Sequence, residues 1–482
     1  MRRLPLVGTL LVVLVLAPGL RAQRSDTLAL SLPDALARAL SVSEEMRTAR
    51  AQIDIADAQI GIARAGALPA LRVNGAYTHV IENARAQAIG SVFNQPNTYT
   101  VNANLSQPLF QGGRAVGAWR VARNARSAAR LSAQEARAQL SLDVLSAYLQ
   151  ALLGQRLVEI QQGNVQLATT RVTLAEQQFG AGRAARYDVL RARVERANLD
   201  PQRIAAEGDR DLALLALAQL VNVPPGAPLR LTSRIDGDIV ATALASLGVD
   251  TASAVERASV RAARASVEAR RAAVTVARAD WLPTLSVFVQ SGYQAFPFSG
   301  LPPLRGALED AACPSGRTPP CTAQNGGFFS DRQLGVLMSW PLFDGLRAKS
   351  TMDLARAQMH LAQVALASER ERAEADIALA RSQLSRARAM LAARHETVGE
   401  AEETFKLASL RQRRGIGTAL EVSDAQLAQL VAQTDEARAA FDAYVAAAAL
   451  SHALGRPIPL PAEGPPTPLS HTSNTMAMPD GR

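Results

Sequence analysis

The chain has 482 residues, is 48% hydrophobic and 20% charged, carries a net charge of +9, and has only 4% aromatic side chains. That balance excludes wholesale disorder. Alanine at roughly one residue in five, with so few aromatics, argues against an all-β protein and for long helices packed through small side chains. The positive charge is almost wholly arginine, Lys349 and Lys406 being the only lysines, and it is interspersed with acids rather than gathered in a nucleic-acid-binding patch.

At the N-terminus, Arg2 and Arg3 precede an apolar run from Leu4 to Ala17 and then Pro18-Gly19-Leu20-Arg21-Ala22. This reads as a secretory signal over 1–22, cleaved after Ala22. The run is short for a spanning helix, and no later segment reaches about 18 uninterrupted apolar residues. The mature protein is therefore expected to be exported without a helical membrane anchor.

A first helix is predicted over about 43–66, then a segment rich in strand formers and turn residues over 68–110. A very long helix follows over about 113–179, broken at Gly180-Ala181-Gly182, and a shorter one over about 184–221 ends before Pro224-Pro225. The same order then recurs. A helix over about 252–281 leads to a strand-forming segment over 282–343. A long helix over about 346–412 breaks at Gly415-Ile416-Gly417, and a helix over about 418–454 ends before Pro457.

The recurrence is visible residue by residue. Ser106-Gln-Pro-Leu-Phe-Gln-Gly-Gly-Arg114 matches Ser339-Trp-Pro-Leu-Phe-Asp-Gly-Leu-Arg347 at an offset of 233, which also pairs Gly182 with Gly415, Asp188-Val189 with Glu421-Val422, and Pro224 with Pro457. Upstream, Leu68-Pro69 matches Leu282-Pro283, and Arg64 matches Arg278, at an offset of 214. The difference of 19 residues lies between the Leu-Pro and Pro-Leu-Phe marks of the second half. Two equivalent halves follow, 23–239 and 240–457, with a Pro- and Ser-rich tail over 458–482 expected to be disordered.

Cys313 and Cys321, the only cysteines, fall within that longer interval across a Pro/Gly turn. In an exported chain this spacing points to a loop-closing disulfide, whereas a metal site would need more ligands. His79, His360, His395, His452 and His471 are scattered without metal spacing. No phosphate loop, dinucleotide fingerprint or nucleophile elbow is present, so neither an enzyme nor a cofactor is expected.

At about 1.5 Å per residue a long helix of this kind runs on the order of 100 Å. It needs neighbours along its whole length, and two shorter helices stacked end to end would supply them. Ala115, Ala118, Ala122, Ala125 and Ala129 recur at 3-4 spacing, the pattern of a close-packed coiled-coil seam.

In the strand segments Leu71, Val73 and Tyr77 alternate with Arg72, Asn74 and Thr78, and Val101, Ala103 and Leu105 with Asn102, Asn104 and Ser106. Leu334, Val336 and Met338 alternate with Gln333 and Gly335; Phe288 and Leu337 break the pattern. Such alternation fits either a half-buried sheet or an outer-membrane barrel wall. Of the 20 aromatic residues, 13 fall within 68–110 and 281–343, several at strand ends where barrels carry aromatic girdles. Four strands cannot close a barrel, and open edges are not tolerated in lipid, so the chain is expected to oligomerise.

With Leu68-Pro69 and Leu282-Pro283 opening each strand pair, Pro108-Leu109-Phe110 and Pro341-Leu342-Phe343 closing it, and Gly182…Asp188-Val189 and Gly415…Glu421-Val422-Ser423-Asp424 at the helix breaks, the chain resembles the TolC family of outer-membrane efflux proteins. The resemblance implies a mainly α fold with β: a duplicated long-helix coiled-coil tunnel in the periplasm, with four strands per chain contributing to a twelve-stranded outer-membrane barrel in a homotrimer. It implies docking to a periplasmic adaptor and an inner-membrane transporter, in efflux or type I secretion, through the tips at Gly180, Gly182, Gly415 and Gly417. It further implies a periplasmic pore constriction lined by Asp188, Glu421 and Asp424, where three-fold symmetry would gather carboxylates that attract cations. Gly417 and Gln412 stand where the family has an arginine and a tyrosine in gate links, so other contacts, with Arg183, Arg413 or Arg414 as candidates, are expected to hold the closed state. The alternative is an exported periplasmic coiled-coil scaffold without channel activity, which would leave the aromatic-rich strand pairs without a role.

Overall fold

The structure, a computed structural model, describes residues 28–82, 84, 88, 96–224, 226–233, 257–297, 301 and 328–458. The expected signal segment, the Cys313–Cys321 loop and the tail from 459 lie outside them. The described elements are β1 (Leu28–Leu30), α1 (Leu32–Val42), α2 (Glu44–Ala65), β2 (Ala70–His79), β3 (Asn97–Gln111), α3 (Arg114–Gly180), α4 (Arg186–Leu220), β4 (Leu229–Leu231), α5 (Ala258–Arg278), β5 (Thr284–Ala295), β6 (Phe329–Ser339), α6 (Arg347–Arg413) and α7 (Ala419–Ala453). Both long helices have 67 residues and both shorter ones 35, and every bound of α3 and α4 lies 233 residues before that of α6 and α7. The offset of the sequence repeat is thus also the offset of the folded elements.

Contacts divide the chain into two compact units: one with its described residues within 28–39 and 144–233, the other within 40–143 and 257–458. In the larger unit four strands form one antiparallel sheet in the order β2-β3-β5-β6. The central β3–β5 pairing joins the two sequence repeats, and β2 and β6 are left as edges. Pro108 has no N–H to give the ladder, and the β3–β5 register shifts between Pro108 and Phe110.

Successive rungs of this sheet point to opposite faces. Leu71, Leu105, Val289 and Leu334 form one rung, and Arg72, Asn104, Gln290 and Gln333 the next. The polar face is knitted by side chains: Asn74 Nδ2 donates to Asn102 Oδ1 at 3.2 Å and Gln294 Nε2 to Asp331 Oδ2 at 3.1 Å. Phe288 departs from the alternation because it pairs with Gly335, and its ring occupies the space a Cβ there would need, with Cζ 2.7 Å from that position. The apolar face is bare: Val73 is 71% and Leu334 76% exposed. A half-buried sheet would cover its apolar face, so the barrel-wall reading of the alternation stands.

Below the sheet, α6 is flanked by two antiparallel helices placed end to end. The last turns of α5 pack Val274 and Ala277 on Met352 and Ala355 near the start of α6. The first turn of α7 packs Val422 and Ala425 on Phe405 and Ala408 near the end of α6. The two short helices meet halfway, where Val260 of α5 and Ala453 and Leu454 at the end of α7 cluster on Ala373, Ile377 and Ala380. The seam of small residues predicted on α3 is covered: Ala122 is buried and Ala115, Ala118, Ala125 and Ala129 are half-buried.

A polar cluster sits at the end-to-end joint. Glu135 of α3 accepts from Arg257 Nε at 2.9 Å and from the backbone N–H of Ser259 at 3.2 Å, and lies 3.4 Å from His452 Nε2. Arg257 also reaches Asp376 of α6 at 2.6 Å. Four helices are tied there through two side chains, those of Glu135 and Arg257.

The smaller unit contains two strands too short for any periodicity to announce, β1 and β4, and most of α1, which buries Leu32, Ala35 and Ala39 along one face. The two strands pair in parallel. Tyr148 of α3, fully buried, donates to the Leu30 carbonyl at 2.9 Å and accepts from the Ser233 N–H at 3.2 Å, fixing both strands to one phenol. Burial pushes the Tyr148 hydroxyl pKa up, in keeping with a neutral group that both donates and accepts. Arg38 of α1 donates to the Val221 carbonyl at 3.0 Å, closing the end of α4. The smaller unit also holds α3 and α4 close together: a Cβ on Gly154 would lie 2.9 Å from the Arg210 Cα.

Candidate functional site: the helix tips and the apolar wall

Each long helix ends in the same backbone device. At the first tip the Arg183 N–H reaches back to the Gln178 carbonyl at 2.8 Å across Gly182, whose φ is +69°. At the second the Ile416 N–H reaches the Arg411 carbonyl at 3.1 Å across Gly415, whose φ is +75°. These are Schellman closures, which need a left-handed residue at the turn and favour glycine there. Gly417 is small for another reason: a Cβ at that position would lie 3.0 Å from both the Arg411 Cβ and the Gln412 N. Any side chain at 417 would therefore press on the end of α6. Gly180 has open space around it.

The helices restart differently. Thr418 caps α7, its hydroxyl accepting from the Glu421 N–H at 3.2 Å. Ala185 has no hydroxyl to offer α4, and only the reciprocal half of a capping box forms, the Asp188 carboxylate accepting from the Ala185 N–H at 3.0 Å. Val189 and Val422, one residue after the acids, are buried and anchor each restart. The first tip is held by an ion pair, Arg193–Glu176 at 2.6 Å; the second by the apolar contact of Val422 with Phe405 and Ala408 and by Arg411–Glu421 at 3.6 Å.

The three acids proposed for the pore are all exposed. Glu421 and Asp424 are brought together, one turn apart on α7; Asp188 belongs to the smaller unit. Asp424 lines a groove of about 390 Å³ between α6 and α7 with Arg394, Thr397, Leu427 and Val431. A second groove of about 550 Å³ continues along Gln383, Met390, Arg438 and Asp442. The sequence reading missed one contact: the guanidinium beside Glu421 is Arg411, whereas Arg413 donates to the Ser409 carbonyl of its own helix at 3.4 Å. Position 411 lies on the tip side of α6 facing the restart of α7, a neighbour relation that needs the Schellman geometry and is not visible in spacing. Among the described residues no group of His, Cys, Asp and Glu converges to hold a metal ion, and no helix is long and apolar enough to cross a membrane.

A sheet with a bare apolar face, an opposite polar face and two open edges, in a chain with two 67-residue helices, defines an outer-membrane channel protein with a periplasmic helical tunnel. The comparisons agree. The chain belongs to the outer membrane efflux protein family, whose model matches residues 35–223 and 252–456; its members are channels rather than enzymes. It is 22% identical over 420 residues to Nodulation protein T of Rhizobium leguminosarum bv. trifolii, covering 86% of this chain and 83% of that one. Its fold is similar to the outer membrane protein VceC of Vibrio cholerae, with a TM-score of 0.68 at 22% identity over 89% of this chain and 96% of that one. It is also similar to the CmeC outer membrane channel of Campylobacter jejuni, with a TM-score of 0.68 at 15% identity over 88% and 85% of the two chains.

Proposed function

We propose that this chain is the outer-membrane channel of a tripartite efflux or type I secretion system, acting as a homotrimer. The observation that carries the reading is the open-edged, four-stranded sheet with one bare apolar face. Lipid accepts such a wall only when its edges are paired, and three copies supply the twelve strands of a closed barrel. Each chain comprises two structural repeats, 23–239 and 240–457. Conduction from periplasm to exterior is passive, with no catalysed step. A periplasmic adaptor and an inner-membrane transporter engage the tips at Gly180, Gly182, Gly415 and Gly417, and the rotation of the tip helices opens the pore.

In the closed state Asp188, Glu421 and Asp424 line the constriction. Glu421 lies 3.6 Å from Arg411 of its own chain, which holds it beside the tip of α6. Asp424→Ala and Glu421→Ala are expected to raise single-channel conductance or weaken block by divalent cations in planar bilayers. Conductance and block equal to the wild type would remove these residues from the constriction. Fractionation tests the reading as a whole: a trimer extracted by detergent from outer membranes is expected, and a protein found free in the periplasm would return it to the scaffold alternative.

A further inference from the structure

The end of the sheet nearest the helices carries two adjoining layers that the conduction pathway does not use. The first is aromatic. Phe110, Trp281, Trp340 and Phe343 are all exposed there, Phe343 by 83%, and the Trp340 indole N–H donates to the Trp281 backbone carbonyl at 3.3 Å, which fixes the Trp340 ring at the strand ends. Such rings settle at the level of lipid headgroups. The second layer, one helical turn further out, is cationic. The terminal turns of the four helices that meet the sheet hold Arg64, Arg278, Arg114, Arg347 and Lys349.

Among the described residues two acids share that layer, Asp280 and Asp344, and both are engaged. Asp280 pairs with Arg114. Asp344 accepts from the Ala348 N–H at 2.9 Å and lies 3.8 Å from Arg347. Among the described residues no acid pairs with Arg64, Arg278 or Lys349. Helix electrostatics accounts for part of this: Arg64 and Arg278 stand at the C-terminal ends of α2 and α5, where cations are favoured. Arg114, Arg347 and Lys349 stand at the N-terminal ends of α3 and α6, where a cation opposes the helix dipole. Asp280 and Asp344 answer Arg114 and Arg347, but Arg64, Arg278 and Lys349, beside an aromatic girdle and without an acid among the described residues, call for an anion outside the chain.

Resting on the outer-membrane channel reading, we propose that this girdle binds the headgroups of anionic phospholipid in the periplasmic leaflet, with Arg278 and Lys349, one at the corresponding junction on each side of the β5–β6 pair, as its principal contacts. The aromatic rings set the depth and the cations select the charge. The lipid thereby neutralises the layer at which membrane wall passes into helical tunnel.

The test uses the purified full-length protein in mild detergent, with bound lipid counted by native mass spectrometry. Palmitoyl-oleoyl phosphatidylglycerol is expected to be retained over the phosphatidylcholine of the same chains. In Arg278→Gln and Lys349→Gln the apparent affinity for phosphatidylglycerol falls about fivefold per cation removed, with single-channel conductance in phosphatidylcholine bilayers unchanged. Equal retention of the two lipids, or unchanged retention in the variants, overturns the proposal. So does displacement of phosphatidylglycerol by an equal concentration of inorganic phosphate, which would make this a free-anion site. Should the variants fail to assemble, quenching of the wild-type tryptophan fluorescence decides: brominated phosphatidylglycerol must quench more strongly than brominated phosphatidylcholine, because Trp281 and Trp340 are two of the three tryptophans. A conducting trimer without lipid preference defeats this inference alone, whereas a protein that neither assembles nor conducts in its wild-type form defeats the channel reading beneath it.

Discussion

Val73→Arg is expected to abolish assembly in the outer membrane. Val73 lies on the bare apolar face of β2, paired with Ala103, near the middle of the strand. A guanidinium at such a lipid-facing position costs about 2–4 kcal/mol, and a trimer would bear it three times. The neighbouring residue supplies the internal control, for the wild-type chain already has an arginine at position 72, on the opposite face in a rung with Asn104, Gln290 and Gln333. Asn74→Arg, on that same polar face, should assemble. The measurement is the amount of heat-modifiable trimer in purified outer membranes; a normal yield of Val73→Arg with loss of Asn74→Arg would mean that the faces are the other way round.

The second large effect concerns the joint between α5 and α7. Arg257→Ala leaves the Glu135 carboxylate in a poorly solvated site with only His452 and the Ser259 N–H for company. Breaking a buried pair from one side costs about 3–5 kcal/mol; with both side chains partly accessible, a loss of about 2–4 kcal/mol is expected here. Removing both partners should cost less than removing Arg257 alone, because the stranded charge disappears with them. Thermal unfolding followed by circular dichroism checks this, and a double variant less stable than Arg257→Ala would refute it. The same site carries a pH signature. Burial pushes the Glu135 carboxyl up, but the neighbouring His452 and the hydrogen bond and charge of Arg257 outweigh it and hold the pKa below the ordinary 4.5. A lowered carboxylate pKa contributes stability that is fully present above 4.5 and is lost as pH falls through the folded value. Acid titration should therefore destabilise the wild type below that point, and this component should be absent from Glu135→Gln.

Much of the fold is legible in the sequence because it is written twice. Gly182 and Gly415 mark both tips, Pro108 and Pro341 both strand exits, and the offset of 233 carries through to all four bounds of the long and short helices. Helix lengths alone suggest that two shorter helices lie end to end along a longer one, and α5, α6 and α7 do so. What is not legible is of two kinds. Leu28–Leu30 and Leu229–Leu231 are three residues each, too short to show alternation, and depend on Tyr148, which is far from both in sequence. The Glu135–Arg257–His452 cluster and the Arg411–Glu421 pair join residues whose proximity follows only from packing. The sheet is an intermediate case: the alternation announces two unlike faces, and the exposure of Leu71, Val73 and Leu334 shows that the apolar face is not covered by this chain's own described residues.

The joint at Val260 and Leu454 has a mechanical consequence. A continuous strut splinted by two pieces is stiff everywhere except where the splint is cut, and the cut here falls beside Ala373, Ile377 and Ala380, midway along α6. Bending forces applied at the far end would concentrate there. The lower arm of α6 could then swing with α7 as one lever while the upper arm stayed fixed under the sheet with α5. The fulcrum would be made of small apolar side chains that slide and one charged knot, Glu135 with Arg257, that resists.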